Sequence, residues 1–151
     1  MKYIIKKIIS YSLNIFFYFF KNTKVGLYFN NKLFNIAMNN QIKISYKNIN
    51  FQLVNPTNLI NYRIKTFHSK EPETLDWIDK FDDNSIFWDI GANIGLYSCY
   101  ASLKKDCNVF SFEPSVFNLE ILSRNIFINN LEKKITIIPL ALSNKTMASN
   151  F

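Results

Sequence analysis

The stretch Ser85–Ser102, SIFWDIGANIGLYSCYAS, decides the fold. It holds two of the chain's three glycines, Gly91 and Gly95, at the junction between an apolar run and a helical pattern. A glycine inside a helix or strand costs roughly 0.5–1 kcal/mol. A glycine-poor chain that spends two at one junction therefore has a backbone requirement there. The run from Ile86 to Trp88 reads as a strand, and a helix follows Gly95 through about Leu103. A second strand falls near Val109–Phe112, Ser115 caps a helix running toward Asn129, and a third strand covers roughly Ile135–Leu140. Apolar strands alternating with helices predict an α/β chain, a parallel sheet covered by helices.

Upstream of this region the pattern changes. Ile42, Ile44 and Tyr46 alternate with polar residues, and after the dipeptide Lys47-Asn48 the residues Ile49, Phe51 and Leu53 do the same. That spacing predicts a hairpin. Asn61–Phe67, NYRIKTF, reads as a further short strand. In Ser69–Phe81, SKEPETLDWIDKF, Pro72 suits a first helical turn and Glu71, Glu73 and Asp76 suit the positive end of the helix dipole. Leu75, Ile78 and Phe81 would then face the core. Residues 22–40 carry no clear signal. The N-terminal 21 residues are basic and then apolar from Ile8 to Phe20, shorter than the roughly 20 residues of a spanning helix and without a cleavage pattern. Lys7, Ser10, Asn14, Tyr18 and Lys21 fall on one stripe of a helix. Such a helix either packs on protein or lies in a membrane interface.

Composition bounds the rest. The chain has 151 residues, 48% hydrophobic and 17% aromatic, enough for about one domain with a core. A net charge of +7 attracts anionic partners, but the lysines are scattered, which disfavours a specific nucleic-acid role. Cys99 and Cys107 form neither a metal motif nor a disulfide framework, and read as core residues of a reducing, cytoplasmic compartment. No metal site is expected. His68, the single histidine, reads as a polar loop residue.

The chemistry lies at the strand ends. Asp89 closes the first strand and Glu113 the second, one strand–helix–strand unit apart. Parallel neighbours about 4.8 Å apart bring both carboxylates to one edge, where open parallel sheets bind ligands. Gly91 admits a ligand to bare backbone, and Gly95 lets the helix start close to the strand. The two oxygens of Glu113 suit the hydroxyls of a ribose. A dinucleotide site requires a middle glycine in G-x-G-x-x-G; here the run is Gly91-Ala92-Asn93-Ile94-Gly95. S-adenosylmethionine has no phosphate and carries positive charge, so the carboxylates fit it better. Either carboxylate taken alone also reads as a helix cap or a surface acid.

FWDIGANIGLYSCYAS, then VFSFEPSVFNLEILSRNIFINNLEKKITIIPLALSN, and the upstream FHSKEPETLDWID together resemble the FkbM family of S-adenosylmethionine-dependent methyltransferases over about half the chain. The resemblance implies a partial Rossmann-like methyltransferase fold, with three parallel strands in the order 3-2-1 and flanking helices. An N-terminal helix and β-hairpin extension over residues 1–66 would precede the cofactor-binding domain at 67–151. It implies that Asp89, Gly91, Asn93 and Gly95 form the cofactor loop, that Glu113 holds the ribose, and that Pro114 and Ser115 shape the adenine side. Ala141 and Ser143 would lie near the adenine. Family members methylate hydroxyl groups of sugars or natural products, so the implied partner is a small-molecule hydroxyl acceptor.

The family's K-I-D-x-E-G-type segment has no counterpart before Phe151. The expectation is an N-terminal portion, weakly active or inactive alone, with no nameable catalytic residue. Its first strand would be an open sheet edge that invites a complementing chain. Membrane contact, if present, would be peripheral and through residues 1–21. Two alternatives stand beside this reading: an RNA methyltransferase fragment, against which Phe-Glu-Pro at the second strand speaks, and a non-catalytic cofactor-binding or interaction module.

Overall fold

The structure, a computed structural model, describes residues 2–144. Contacts divide the chain into two compact units, one ending at Asn39 and one beginning at Asn40.

The first unit holds two helices, α1 (Lys2–Phe20) and α2 (Lys24–Met38). The second of these occupies the segment in which the sequence carries no clear signal. Thr23 caps it, its side chain accepting from the Gly26 amide at 2.9 Å. A Cβ at Gly26 would fall 1.9 Å from the Phe20 carbonyl oxygen, so glycine there lets α2 begin tight against the end of α1. The Phe20 and Phe29 rings meet edge-on at 6.2 Å.

The second unit opens with the hairpin β1 (Gln41–Tyr46) and β2 (Ile49–Val54), paired Tyr46 to Ile49. Lys47 and Asn48 both take positive φ, 45° and 67°, the combination of the tight hairpin turn whose twist matches that of the strands. Phe67 draws the hairpin into the core: its ring lies 5.7–5.9 Å from those of Tyr46, Phe51, Tyr97 and Tyr100. Lys47 reaches back to Asp76 and Asp79 at 2.9 and 2.7 Å.

The predicted strand over NYRIKTF is instead a helix, α3 (Asn58–Lys65), followed by the short α4 (Phe67–Lys70) and then α5 (Pro72–Ile78). Thr57 caps α3 through the Ile60 amide at 3.3 Å. Ile60 and Ile64 are buried one turn apart while Tyr62 is exposed, so a helical period wins over alternation. In α5 the proline stands at the first turn and Leu75 and Ile78 are fully buried, as their spacing predicts.

Strands β3 (Ile86–Ile90), β4 (Asn108–Phe112) and β5 (Ile135–Ile138) form a parallel sheet in the order β3-β4-β5. This is the arrangement expected from the sequence, with β3 at the edge. The third strand stops at Ile138 because Pro139 cannot donate to the ladder. Helix α6 (Leu96–Lys105) joins β3 to β4, and α7 (Val116–Ile128) joins β4 to β5. Phe87, Asp89, Val109, Ser111 and Ile135 point toward the α6 side and are buried. On the opposite face Ile86, Trp88 and Ile90 remain 59–68% exposed.

Two asparagines, Asn125 in α7 and Asn129 at its C-cap, bind the hairpin to this layer. Asn125, fully buried, accepts from the Val54 amide at 2.8 Å and donates to the Ile94 carbonyl at 2.7 Å. Asn129 accepts from the Gln52 amide at 2.9 Å and donates to its carbonyl at 2.7 Å. Their amides therefore satisfy the free edge of β2, whose backbone groups would otherwise be buried without partners.

Candidate functional site

The glycine junction folds as a loop between β3 and α6. Gly91 and Gly95 take φ of +81° and +82°, and Asn93 takes +54°. The Gly91 and Ala92 amides both donate to the Phe112 carbonyl, at 2.9 and 3.0 Å, which fastens the loop to the end of β4. Nothing lies within 4 Å of the position a Gly91 Cβ would take, so that side of the loop is open. Gly95 differs. Its Cβ would fall 2.4 Å from the Leu122 side chain of α7, so this glycine makes room for a neighbouring helix rather than for the strand beside it.

Glu113 is 5% exposed and spans the two strand ends. Its Oε2 accepts from the Asn93 amide at 2.8 Å, and its Oε1 from the Ser115 amide at 2.8 Å and the Asn118 side chain at 3.2 Å. A carboxylate offers about four acceptor positions, so one remains on Oε2 beside the glycine loop. Ser115 stands at the N-cap of α7, but its side chain makes no capping bond, and its backbone amide donates to the Glu113 carboxylate instead. Pro114 is half-buried between them.

Asp89 lies beneath the loop, 7% exposed. The Ser98 hydroxyl donates to its Oδ2 at 2.5 Å and stands 2.7 Å from the Ser111 hydroxyl. Burial pushes the Asp89 carboxyl above its ordinary range; the Ser98 hydrogen bond opposes this, and the negative charges of Glu113 and Glu71 add to it. A cationic group beside Asp89 would relieve that strain.

A cavity of about 510 Å³ adjoins this edge, lined by the loop and β3 on one side and by α3–α5 on the other. Arg63 of α3 projects into it and donates to the Asn93 Oδ1 at 2.6 Å. Lys70, Glu71 and Asp89 supply further charge of both signs, and Tyr97 a hydroxyl. Burial holds the Tyr97 hydroxyl well above its usual range, with the Glu71 carboxylate adding to the effect, so it stays protonated as a donor. Arg63 escapes a sequence reading that makes its segment a strand; the Thr57 cap and the buried Ile60–Ile64 pair are the signals that place it.

The structure thus brings Asp89, Gly91, Asn93, Glu113, Pro114 and Ser115 to the carboxyl edge of the sheet, with Gly95 buried behind the loop. Ala141 and Ser143 are exposed residues of the segment that leaves β5 at that same edge. Asn118 also belongs to the Glu113 cluster. Cys99 and Cys107 are buried free thiols; burial pushes Cys99 up to about 12, so it is no nucleophile at neutral pH. His68 is exposed on α4.

No protein-family model matches the chain. Over 64 residues it is 30% identical to the hexuronic acid methyltransferase AglP of Haloferax volcanii, a segment that makes up 42% of this chain and 26% of that protein. That segment is homologous to a methyltransferase. The chain accordingly matches about a quarter of the length of its curated relative. Among solved structures, M. jannaschii TYW2 in complex with AdoMet superposes with a TM-score of 0.48 at 19% identity, over 67% of this chain and 43% of that one. The precorrin-6Y C5,15-methyltransferase of Geobacter metallireducens gives 0.41 at 24% identity, over 46% and 37%. The aTrm5 chain of a complex with tRNALeu gives 0.46 at 20% identity, over 64% and 27%.

Proposed function

We propose that this chain is an S-adenosylmethionine-dependent methyltransferase of FkbM type that acts on a hydroxyl group of a sugar. The observation that supports it most is the convergence of Asp89 and Glu113 on one glycine loop, with Glu113 hydrogen-bonded to the Asn93 amide across twenty positions of sequence. Glu113 has an acceptor position for one ribose hydroxyl, and for a second if the long Asn118 bond yields. The bare Gly91 backbone admits the nucleoside, while Pro114, Ser115, Ala141 and Ser143 are the candidates for the adenine side. The cavity carries both signs of charge, which suits the amino-acid end of the cofactor: Asp89 and Glu71 for its ammonium and sulfonium, Arg63 for its carboxylate. When bound, S-adenosylmethionine would supply an electrophilic methyl group to the acceptor hydroxyl, which would lose its proton to solvent as the sulfonium became a neutral thioether. This chain's residues contribute positioning. The sugar acceptor is favoured by the likeness to a hexuronic acid methyltransferase.

Titration calorimetry tests the reading. The chain should bind S-adenosylhomocysteine more tightly than 5′-methylthioadenosine, which lacks the amino-acid end. Arg63→Ala should erase most of that preference, about tenfold or more for a lost charge-assisted pair, and leave the methylthioadenosine affinity unchanged. Absence of binding to both nucleosides would contradict the cofactor assignment, whereas an unchanged preference would contradict only the role of Arg63. Methyl transfer to a tRNA transcript in place of a hexuronic acid glycoside would overturn the acceptor class.

A further inference from the structure

We propose that α1 and α2 are a membrane-surface module that seats the chain on anionic phospholipid bilayers. Three observations carry this, and none depends on the methyltransferase reading. The first is charge. Residues 1–39 contain six lysines and no acidic residue, and the first acid of the whole chain is Glu71. All eleven acidic residues lie from Glu71 onward, against seven basic ones there. The positive balance of the chain is therefore an N-terminal property.

The second is exposure. In α1, Ile4, Ile8, Ile15 and Phe19 follow one another at helical spacing and are 45–74% exposed. Ile5, Ile9 and Phe16 widen that stripe, and Tyr11 and Tyr18 border it. In α2, Val25, Phe29, Leu33 and Ile36 form a second stripe, 43–66% exposed. Exposed apolar surface on this scale marks a binding face. The third is length: among the described residues no helix is long and apolar enough to cross a membrane. In α1, an apolar face rich in isoleucine, phenylalanine and tyrosine with Lys6 and Lys7 on the other side fits a helix lying in the plane of the interface.

Charge also selects the occupant. Two copies of this unit brought face to face would juxtapose lysines with no carboxylate to offset them. A nucleic acid would neutralise the lysines but leave the isoleucines and phenylalanines in water. An anionic lipid surface satisfies both, since acyl chains take the apolar stripe and headgroups take lysine side chains that extend past it.

Co-sedimentation of the full chain with vesicles decides the matter. Vesicles with about 30% phosphatidylglycerol should bind it about tenfold or more tightly than pure phosphatidylcholine, and about 0.5 M salt should remove that difference. Lys6→Glu with Lys7→Glu should abolish the anionic preference, and Phe16→Ser with Phe19→Ser should weaken binding to both vesicle types. Equal binding to the two vesicle types, no binding to either, a lipid-free dimer that excludes vesicles, or displacement from anionic vesicles by RNA would each overturn the proposal.

Discussion

Asp89 sits where its charge is least welcome: buried, under a loop that also faces Glu113, with a serine hydroxyl as its hydrogen-bond donor. Its carboxyl is raised chiefly by burial, so in the folded chain it holds a proton more tightly than when unfolded. Between the ordinary value near 3.8 and the raised one, the folded state binds more protons and stability falls as pH rises. Asp89→Asn keeps an acceptor for Ser98 and removes the charge. Thermal melts should show a higher Tm for the variant at pH 7, a gain that shrinks as pH falls from the raised value toward 3.8 and is gone below it. Calorimetry should show weaker binding of S-adenosylhomocysteine. A lower Tm at pH 7 would mean that the charge is already compensated within the fold. The two glycines divide their work at this scale as well. Gly91 faces open space and Gly95 faces Leu122, a distinction that spacing alone does not make.

Among the elements, α7 ties the site to the rest of its unit. Asn125 holds the Val54 amide and the carbonyl of Ile94 in the glycine loop. Asn125→Ala would leave both buried without partners, each at about 1–3 kcal/mol, for a predicted stability loss of about 2–6 kcal/mol in urea unfolding. A loss well under about 1 kcal/mol would show that water or a local shift replaces the asparagine. The elements also show what was legible in the sequence. Strands β3 to β5 follow from apolar runs broken by glycine, acid and proline, while their order is what the family resemblance implies. In the segment carrying Arg63 the alternation of Tyr62, Ile64 and Thr66 predicts a strand, whereas the burial that counts is Ile60, Ile64 and then Phe67. Asn125 and Asn129 could not be told from surface asparagines by pattern. What buries them is the unpaired edge of β2, more than seventy positions away in sequence. The place of Glu113 at a strand end is visible in the sequence, but its grip on Asn93 and Ser115 depends on both loops being folded.

At the scale of the molecule, the described residues of the second unit bury one face of the edge strand β3 and leave its other face exposed. Ile86, Trp88 and Ile90 form an apolar row on the edge strand, the kind of surface that pairs or aggregates when left exposed. Light scattering should therefore detect concentration-dependent association of the purified chain, and Ile86→Lys with Trp88→Lys should suppress it. Association that persists unchanged would place its origin elsewhere, with the helices of the first unit as the next candidate. Our proposal puts the cofactor at the carboxyl edge of this sheet. Backbone amide spectra of the isotope-labelled chain, recorded while S-adenosylhomocysteine is titrated in, test that claim most directly. The account predicts saturable shifts concentrated at Gly91, Ala92, Asn93, Glu113 and Ser115; a titration that leaves those amides unmoved, or that moves the hairpin instead, would contradict it.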